Sequence, residues 1–275
     1  MFCKRSGTRL NLDNIAHCGP WDEEMKTTRK YVALACMSLI PMAAIAQDDS
    51  AALGYSYVTY YVCDMATQGN MDNIVASNEY EAFDKWVEDG KLMSWGYLSH
   101  FTGGRWRRAQ YHVSPTLEDA LKNQVDLVRE IYTDNRAGGQ ARSEACESHD
   151  DYLWALDQGS PPGTERGDVS LSVYFICSTA DQARADEIFA LAYAPKLNEM
   201  QKEGKVASWS WQSHVLGGEY RRLQTVTGAD LASVTTARME AIQHVNENHN
   251  ALGREFSQIC GSHDDYLWNI VHEAP

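Results

Sequence analysis

The chain has 275 residues, of which 44% are hydrophobic, 23% charged and 10% aromatic. This is globular composition, and it excludes a disordered chain, a collagen-like repeat and a polytopic membrane protein. With 24 Lys and Arg against 38 Asp and Glu the formal charge is -14, so the chain repels a phosphate backbone and no nucleic-acid partner is expected.

Residues 25–46 read as a secretory signal. Lys26, Arg29 and Lys30 make a basic start, residues 31–40 are apolar, Pro41 interrupts the run, and Ala44-Ile45-Ala46 places small residues where a signal peptidase reads. The run is short of the roughly 20 residues that span a bilayer. The expectation is cleavage before Gln47, no stable membrane insertion afterwards, and an exported protein, periplasmic or extracellular. Residues 1–24 carry mixed charge and no apolar periodicity, and they read as an upstream over-extension of a start at Met25. Cys3, Cys18 and Cys36 fall in these segments. Cys63, Cys146, Cys177 and Cys260 remain, an even number that suits disulfides in an exported chain, with three connectivities open.

The rest of the chain is one motif written twice. Cys63 and Cys177 lie 114 positions apart, and so do Cys146 and Cys260. The same offset aligns 57–154 with 171–268 without a gap. SWGYLSHFTGGRWRR at 94–108 answers SWSWQSHVLGGEYRR at 208–222, and SHDDYLW stands identically at 148–154 and 262–268. The domains are therefore read as a first repeat at 47–156, a Gly-, Pro- and charge-rich linker at 157–169, and a second repeat at 170–275.

Each copy parses into the same elements. Residues 58–63 and 172–177 are β-branched and aromatic, a first strand. Residues 72–90 and 181–204 have helical spacing and end at a Gly followed by Lys, with Pro195 as a kink in the second. Residues 92–101 and 206–215 alternate as a second strand. Gly103-Gly104 and Gly217-Gly218 turn into a third strand at 105–113 and 219–227. Thr116 with Asp119 opens a second helix, and the segment with Cys146 and SHDDYLW is the fourth strand.

Strand periodicity sorts the side chains. Trp95 and Tyr97, like Trp209 and Trp211, share a face that reads as core against the helices, with an aromatic ligand pocket as the alternative. His100 and His214 fall on the opposite, small and polar face. Trp106, Arg108, Gln110 and His112 fall together, answered by Tyr220, Arg222 and Gln224. Arg108 and Arg222 either bridge to Asp150, Asp151, Asp264 or Asp265 or hold an anionic ligand. The recurring HDD makes His149, Asp150, His263 and Asp264 weak metal candidates. No HExxH, GxGxxG, GxxxxGK or GxSxG motif occurs, and no cofactor is predicted.

The order β-α-β-β-α-β, twice, is the ferredoxin-like plan, an α+β fold of two tandem repeats packed as a pseudo-dimeric α+β barrel. Such a pair, carrying the stretch GKxxSWGxxSHxxGGxWRR, resembles the dimeric α+β barrel superfamily in fused form and is similar to uncharacterised exported bacterial proteins. In that strand order the first and fourth strands are neighbours, so the expected pairs are Cys63–Cys146 and Cys177–Cys260. The superfamily contains haem enzymes, small monooxygenases and stress proteins, so the resemblance is weak on function. The expected function is binding of a small aromatic or anionic ligand in a barrel cavity, with Trp95, His100, Arg108, Trp209, His214 and Arg222 as candidates. The alternatives are a structural or envelope-stress protein without a ligand, and a monooxygenase-like or haem enzyme. A monomer or homodimer is expected.

Overall fold

The computed structural model describes residues 52–275. The signal sequence read at 25–46 and the segment 1–24 lie outside the described residues.

The first half supplies β1 (Tyr55–Val62), α1 (Gln68–Asn78), α2 (Tyr80–Glu88), β2 (Ser94–Thr102), β3 (Arg108–Ser114), α3 (Leu117–Tyr132), α4 (Arg136–Glu144) and β4 (Ser148–Gly159). The second supplies β5 (Val169–Ile176), α5 (Gln182–Ile188), a π-helical turn at Phe189–Tyr193, α6 (Ala194–Lys202), β6 (Ser208–Leu216), β7 (Arg222–Gly228), α7 (Leu231–Asn248), α8 (Asn250–Ile259) and β8 (Ser262–Ala274). Each half is thus a four-stranded antiparallel sheet, β4-β1-β3-β2 or β8-β5-β7-β6. The two join through β2–β8 and β4–β6 into a closed eight-stranded barrel. Closure removes every free sheet edge, which is the physical reason two copies serve where one would not.

Several elements differ from the sequence expectation. The helix expected at 72–90 is two helices broken at Glu79, whose carboxylate turns inward and is buried. Pro195 sits in the first turn of α6, directly after the π-helical turn at Phe189–Tyr193. Trp106 does not share a face with Arg108. Residues 103–107 are irregular, Gly103 has a φ of 138°, and the alternation restarts at Arg108. Trp106 consequently turns into the barrel and stacks on Tyr60 with ring centroids 4.2 Å apart.

Three apolar clusters hold the fold. Trp95 and Tyr97 pack with Met71 and Phe83 beneath the helices of the first half. Trp209 and Trp211 pack with Phe189, Leu197 and Met200 in the second. Inside the barrel an aromatic cluster includes Tyr60, Trp106, Trp154, Tyr174, Tyr220 and Trp268. The repeated Gly pairs are exposed turns that pack on that interior: a Cβ on Gly218 would lie 2.3 Å from the hydroxyl of Tyr152, the tyrosine of SHDDYLW in the other half. Disulfides join Cys63 to Cys146 and Cys177 to Cys260, each across a sequence separation of 83. Loops of that size give roughly 4–5 kcal/mol in the chain-entropy model.

Candidate ligand-binding site

The residues singled out from the sequence do not converge on one place. Trp95 lies under α2 and its Nε1 donates to Asp84 Oδ1 at 2.8 Å, while Trp209 Nε1 donates to Asn198 Oδ1 at 3.2 Å. Arg108 holds Asp72 of α1 through Nε and Nη2, and Arg222 holds Asp186 of α5 at 2.6 Å through the same two atoms. Both guanidiniums are therefore neutralised by helix aspartates rather than by the HDD carboxylates, because β3 and β7 turn these positions toward the helices. His100 and His214 sit at the two seams of the barrel, edge-on to Trp268 and Trp154, with centroids 6.0 Å apart in each pair. Desolvation, reinforced by Arg107 and Arg221, holds both imidazoles below the usual histidine range.

The HDD residues also separate. Asp150 accepts from Arg105 and from Trp106 Nε1, and Asp264 accepts from the Tyr220 hydroxyl. His149 and His263 turn instead to Asp151 and Asp265. Among the described residues no group of three His, Cys, Asp or Glu is placed to hold a metal ion.

What the repeats do not share is more informative. Between the sheet of the second half and the helices α7 and α8 lies a pocket of about 180 Å³. Phe175, Phe189, Tyr193 and Phe256 wall it, Gln224 of β7 reaches it from the sheet, and Arg238 and His263 line its polar side. His263 Nδ1 lies 3.0 Å from Asp265 Oδ1, and Arg238 Nη2 lies 3.3 Å from the same carboxylate. That contact fixes the ring and leaves Nε2 as the atom available to a ligand. The aromatic walls follow from strand alternation at Phe175 and from the π-helical turn, whose extra residue brings Phe189 and Tyr193 onto one side, with rings stacked at 5.5 Å.

In the first half the same space is filled. Glu79 is only 1% exposed and accepts from Arg142, from the Tyr132 hydroxyl and, at 2.7 Å, from Gln110 Nε2. Arg142 also donates to Gln110 Oε1 at 2.9 Å. Shifted by 114 positions, Glu79 becomes Tyr193, Arg142 becomes Phe256, Tyr132 becomes Asn246 and Gln110 remains Gln224. A satisfied buried ion network has been exchanged for aromatic carbon, and the volume the charged side chains occupied is left open. A reading based on residues common to both copies passes over these positions. The signal lay in the differences at fixed offset, Arg142 against Phe256 above all.

A further cavity of about 100 Å³ lies inside the barrel, floored by Tyr60 and Tyr174 and covered by the segment 160–166.

Neither a protein-family model nor a curated protein matches the chain. Solved structures do. An anthrone oxidase-like protein is similar at a TM-score of 0.54 and 13% identity, over 81% of this chain and 94% of that one. A protein from Lactobacillus acidophilus NCFM proposed to be a monooxygenase is similar at 0.56 and 8%, over 80% and 95%. A mutant chlorite dismutase from Candidatus Nitrospira defluvii is similar at 0.50 and 10%, over 81% and 93%. At these identities the likeness concerns the fold. The chain has the fold of an α+β barrel closed by two four-stranded sheets, with both halves supplied by one polypeptide.

Proposed function

We propose that this is an exported protein that binds a small aromatic molecule bearing an anionic or hydroxyl group, in the helix–sheet pocket of its second half. The observation that carries the reading is the contrast between the halves: the position plugged by Glu79 and Arg142 is open and aromatic around Phe175, Tyr193 and Phe256. A flat ring suits the walls, and Arg238 and His263 suit a carboxylate or phenolic oxygen. A cavity of about 150 Å³ holds benzene, so a pocket of this size matches a single substituted ring. Among the described residues, no His, Cys or Met lines the barrel cavity. Two disulfides support export, and none of the described helices is long and apolar enough to cross a membrane.

Calorimetric titration of the mature chain with benzoate and salicylate tests this. Saturable binding is expected, weakened at least tenfold in Arg238→Ala. It is abolished in the double variant Tyr193→Glu/Phe256→Arg, which rebuilds the plug of the first half. A flat titration for both compounds, with Arg238→Ala changing only the melting temperature, would return the protein to a structural or envelope-stress role.

A second reading adds chemistry. His263, oriented by Asp265, is placed to take a proton from a phenol bound against Phe175. The anthrone oxidase-like neighbour is in keeping with an aromatic substrate. Oxygen uptake with a phenolic substrate, absent in His263→Ala, is its test.

A further inference from the structure

Gln110 and Gln224 hold the same place in the two halves, and only Gln110 is satisfied. Gln110 Nε2 donates to Glu79 Oε2 at 2.7 Å, and its Oε1 accepts from Arg142 Nη2 at 2.9 Å and from the Tyr61 hydroxyl at 3.4 Å. At the 114-residue offset those three partners are Tyr193, Phe256 and Phe175. Every group that serves the amide in the first half is an aromatic ring in the second, while the amide itself is kept.

Gln224 is 8% exposed and lines the helix–sheet pocket. Among the described residues no group hydrogen-bonds to its amide, and the two amide atoms are not sealed in protein: their free surface is the pocket wall. An amide this deep is unfavourable unless water or a ligand meets it. The sheet sets its place relative to the charged end of the pocket. His263 of β8 stands opposite Phe175, and Gln224 of β7 stands opposite Val173, so β5 runs between them. With neighbouring strands about 4.8 Å apart, β7 and β8 flank Phe175 from sides about 10 Å apart. His263 and Arg238 keep 41% and 20% of their side chains exposed, so they form the mouth and Gln224 the inner end.

We infer that Gln224 sets the specificity of this pocket, and that its ligand is a para-hydroxy aromatic acid. The carboxylate stays at the mouth with Arg238 and His263, and the ring lies against Phe175. The phenolic hydroxyl, able to donate to Oε1 or accept from Nε2, meets Gln224 at the inner end. This rests on the pocket reading above and adds to it a second substituent and its position. A hydroxyl beside the carboxylate, as in salicylate, points away from Gln224.

Calorimetric titrations of the mature chain compare para-hydroxybenzoate with benzoate and with para-methylbenzoate, which has nearly the same shape and no hydrogen bond to offer. Para-hydroxybenzoate is expected to bind about tenfold more tightly than either, because only it pairs the buried amide. In Gln224→Leu that advantage is expected to vanish while benzoate affinity is unchanged. Gln224 gives up no protein hydrogen bond, so this variant should keep its melting temperature, whereas Gln110→Leu should lower it. The wild-type comparison decides the matter even if Gln224→Leu does not fold. Equal wild-type affinities for the three acids, or an advantage that survives in Gln224→Leu, would overturn the inference and leave the pocket reading intact. Failure of both benzoate and para-hydroxybenzoate to bind would overturn the two together.

Discussion

The ring of Tyr266 closes over the backbone of Gly104 so tightly that a Cβ at that glycine would lie 2.3 Å from the tyrosine hydroxyl. The tyrosine belongs to the second half and the glycine to the first, so this contact stitches the barrel across its halves. Tyr266 is buried and packed on Trp106 and Trp268, and it has nowhere to retreat. Gly104→Ala is therefore expected to cost about 2 kcal/mol by overpacking. Gly218→Ala, against Tyr152, should behave alike. Denaturant unfolding of the two variants checks this, and a cost below about 0.5 kcal/mol would show that the ring yields.

Arg108 and Arg105 stand three residues apart and are expected to behave differently. The Arg108 side chain is 7% exposed and holds Asp72, whereas that of Arg105 is 65% exposed. Arg108→Ala leaves the Asp72 carboxylate without its partner in a half-buried site and should cost about 3 kcal/mol. Arg105→Ala breaks a solvated pair with Asp150 and should cost about 0.5 kcal/mol. Equal effects in a chemical melt would contradict this ranking.

Two buried groups act on stability in opposite directions over the same acid range. Burial pushes His112 down to about 4, the hydrogen bond to Gln124 raising it only slightly. Its neutral form is favoured by folding, so the stability it contributes is complete above about 6.5 and is lost as the pH falls through 4, about 3 kcal/mol in all. Burial pushes Asp157 up to about 6, with Asp186 adding to the effect and Ser213 opposing it. Its contribution is present below about 4 and is lost as the pH rises through 6. His112→Phe should therefore flatten the acid loss of stability, and Asp157→Asn should steepen it. Melting temperatures at pH 4, 5, 6 and 7 for both variants provide the check.

Much of the fold was legible because duplication doubles every signal. The 114-residue offset, the Gly pairs and SHDDYLW pointed to two ferredoxin-like units. The structure ties these residues to one constraint, a tyrosine of each half seated on a glycine turn of the other. The disulfide pairs followed from strand order. Trp106 misled because period-2 reasoning fails across an irregular hairpin. The helix α4, reading RAGGQARSE, buries no residue at all and so carried no apolar periodicity to detect. The candidate site was largely illegible. The pairing of buried Glu79 with half-buried Arg142 depends on contacts between segments distant in sequence, and the open pocket around Phe256 is visible only once the filled one is known.

Reducing one disulfide tests how far the halves depend on each other. Cys177→Ser/Cys260→Ser is expected to lose about 4 kcal/mol. Because β8 pairs with β2 of the first half, both halves should unfold in a single transition. Two resolved transitions in calorimetry would show that they are energetically separate.

The last strand has a consequence for how the chain comes to be made. β8 spans Ser262–Ala274 and is the strand that pairs with β2 and with β5. A nascent chain cannot complete its ring until β8 has been made. Until then β2 waits with an unpaired backbone. A product truncated before residue 262 keeps that edge open, which makes it a substrate for quality-control proteases or for pairing with a second copy. Only a chain that carries β8 can finish its own perimeter.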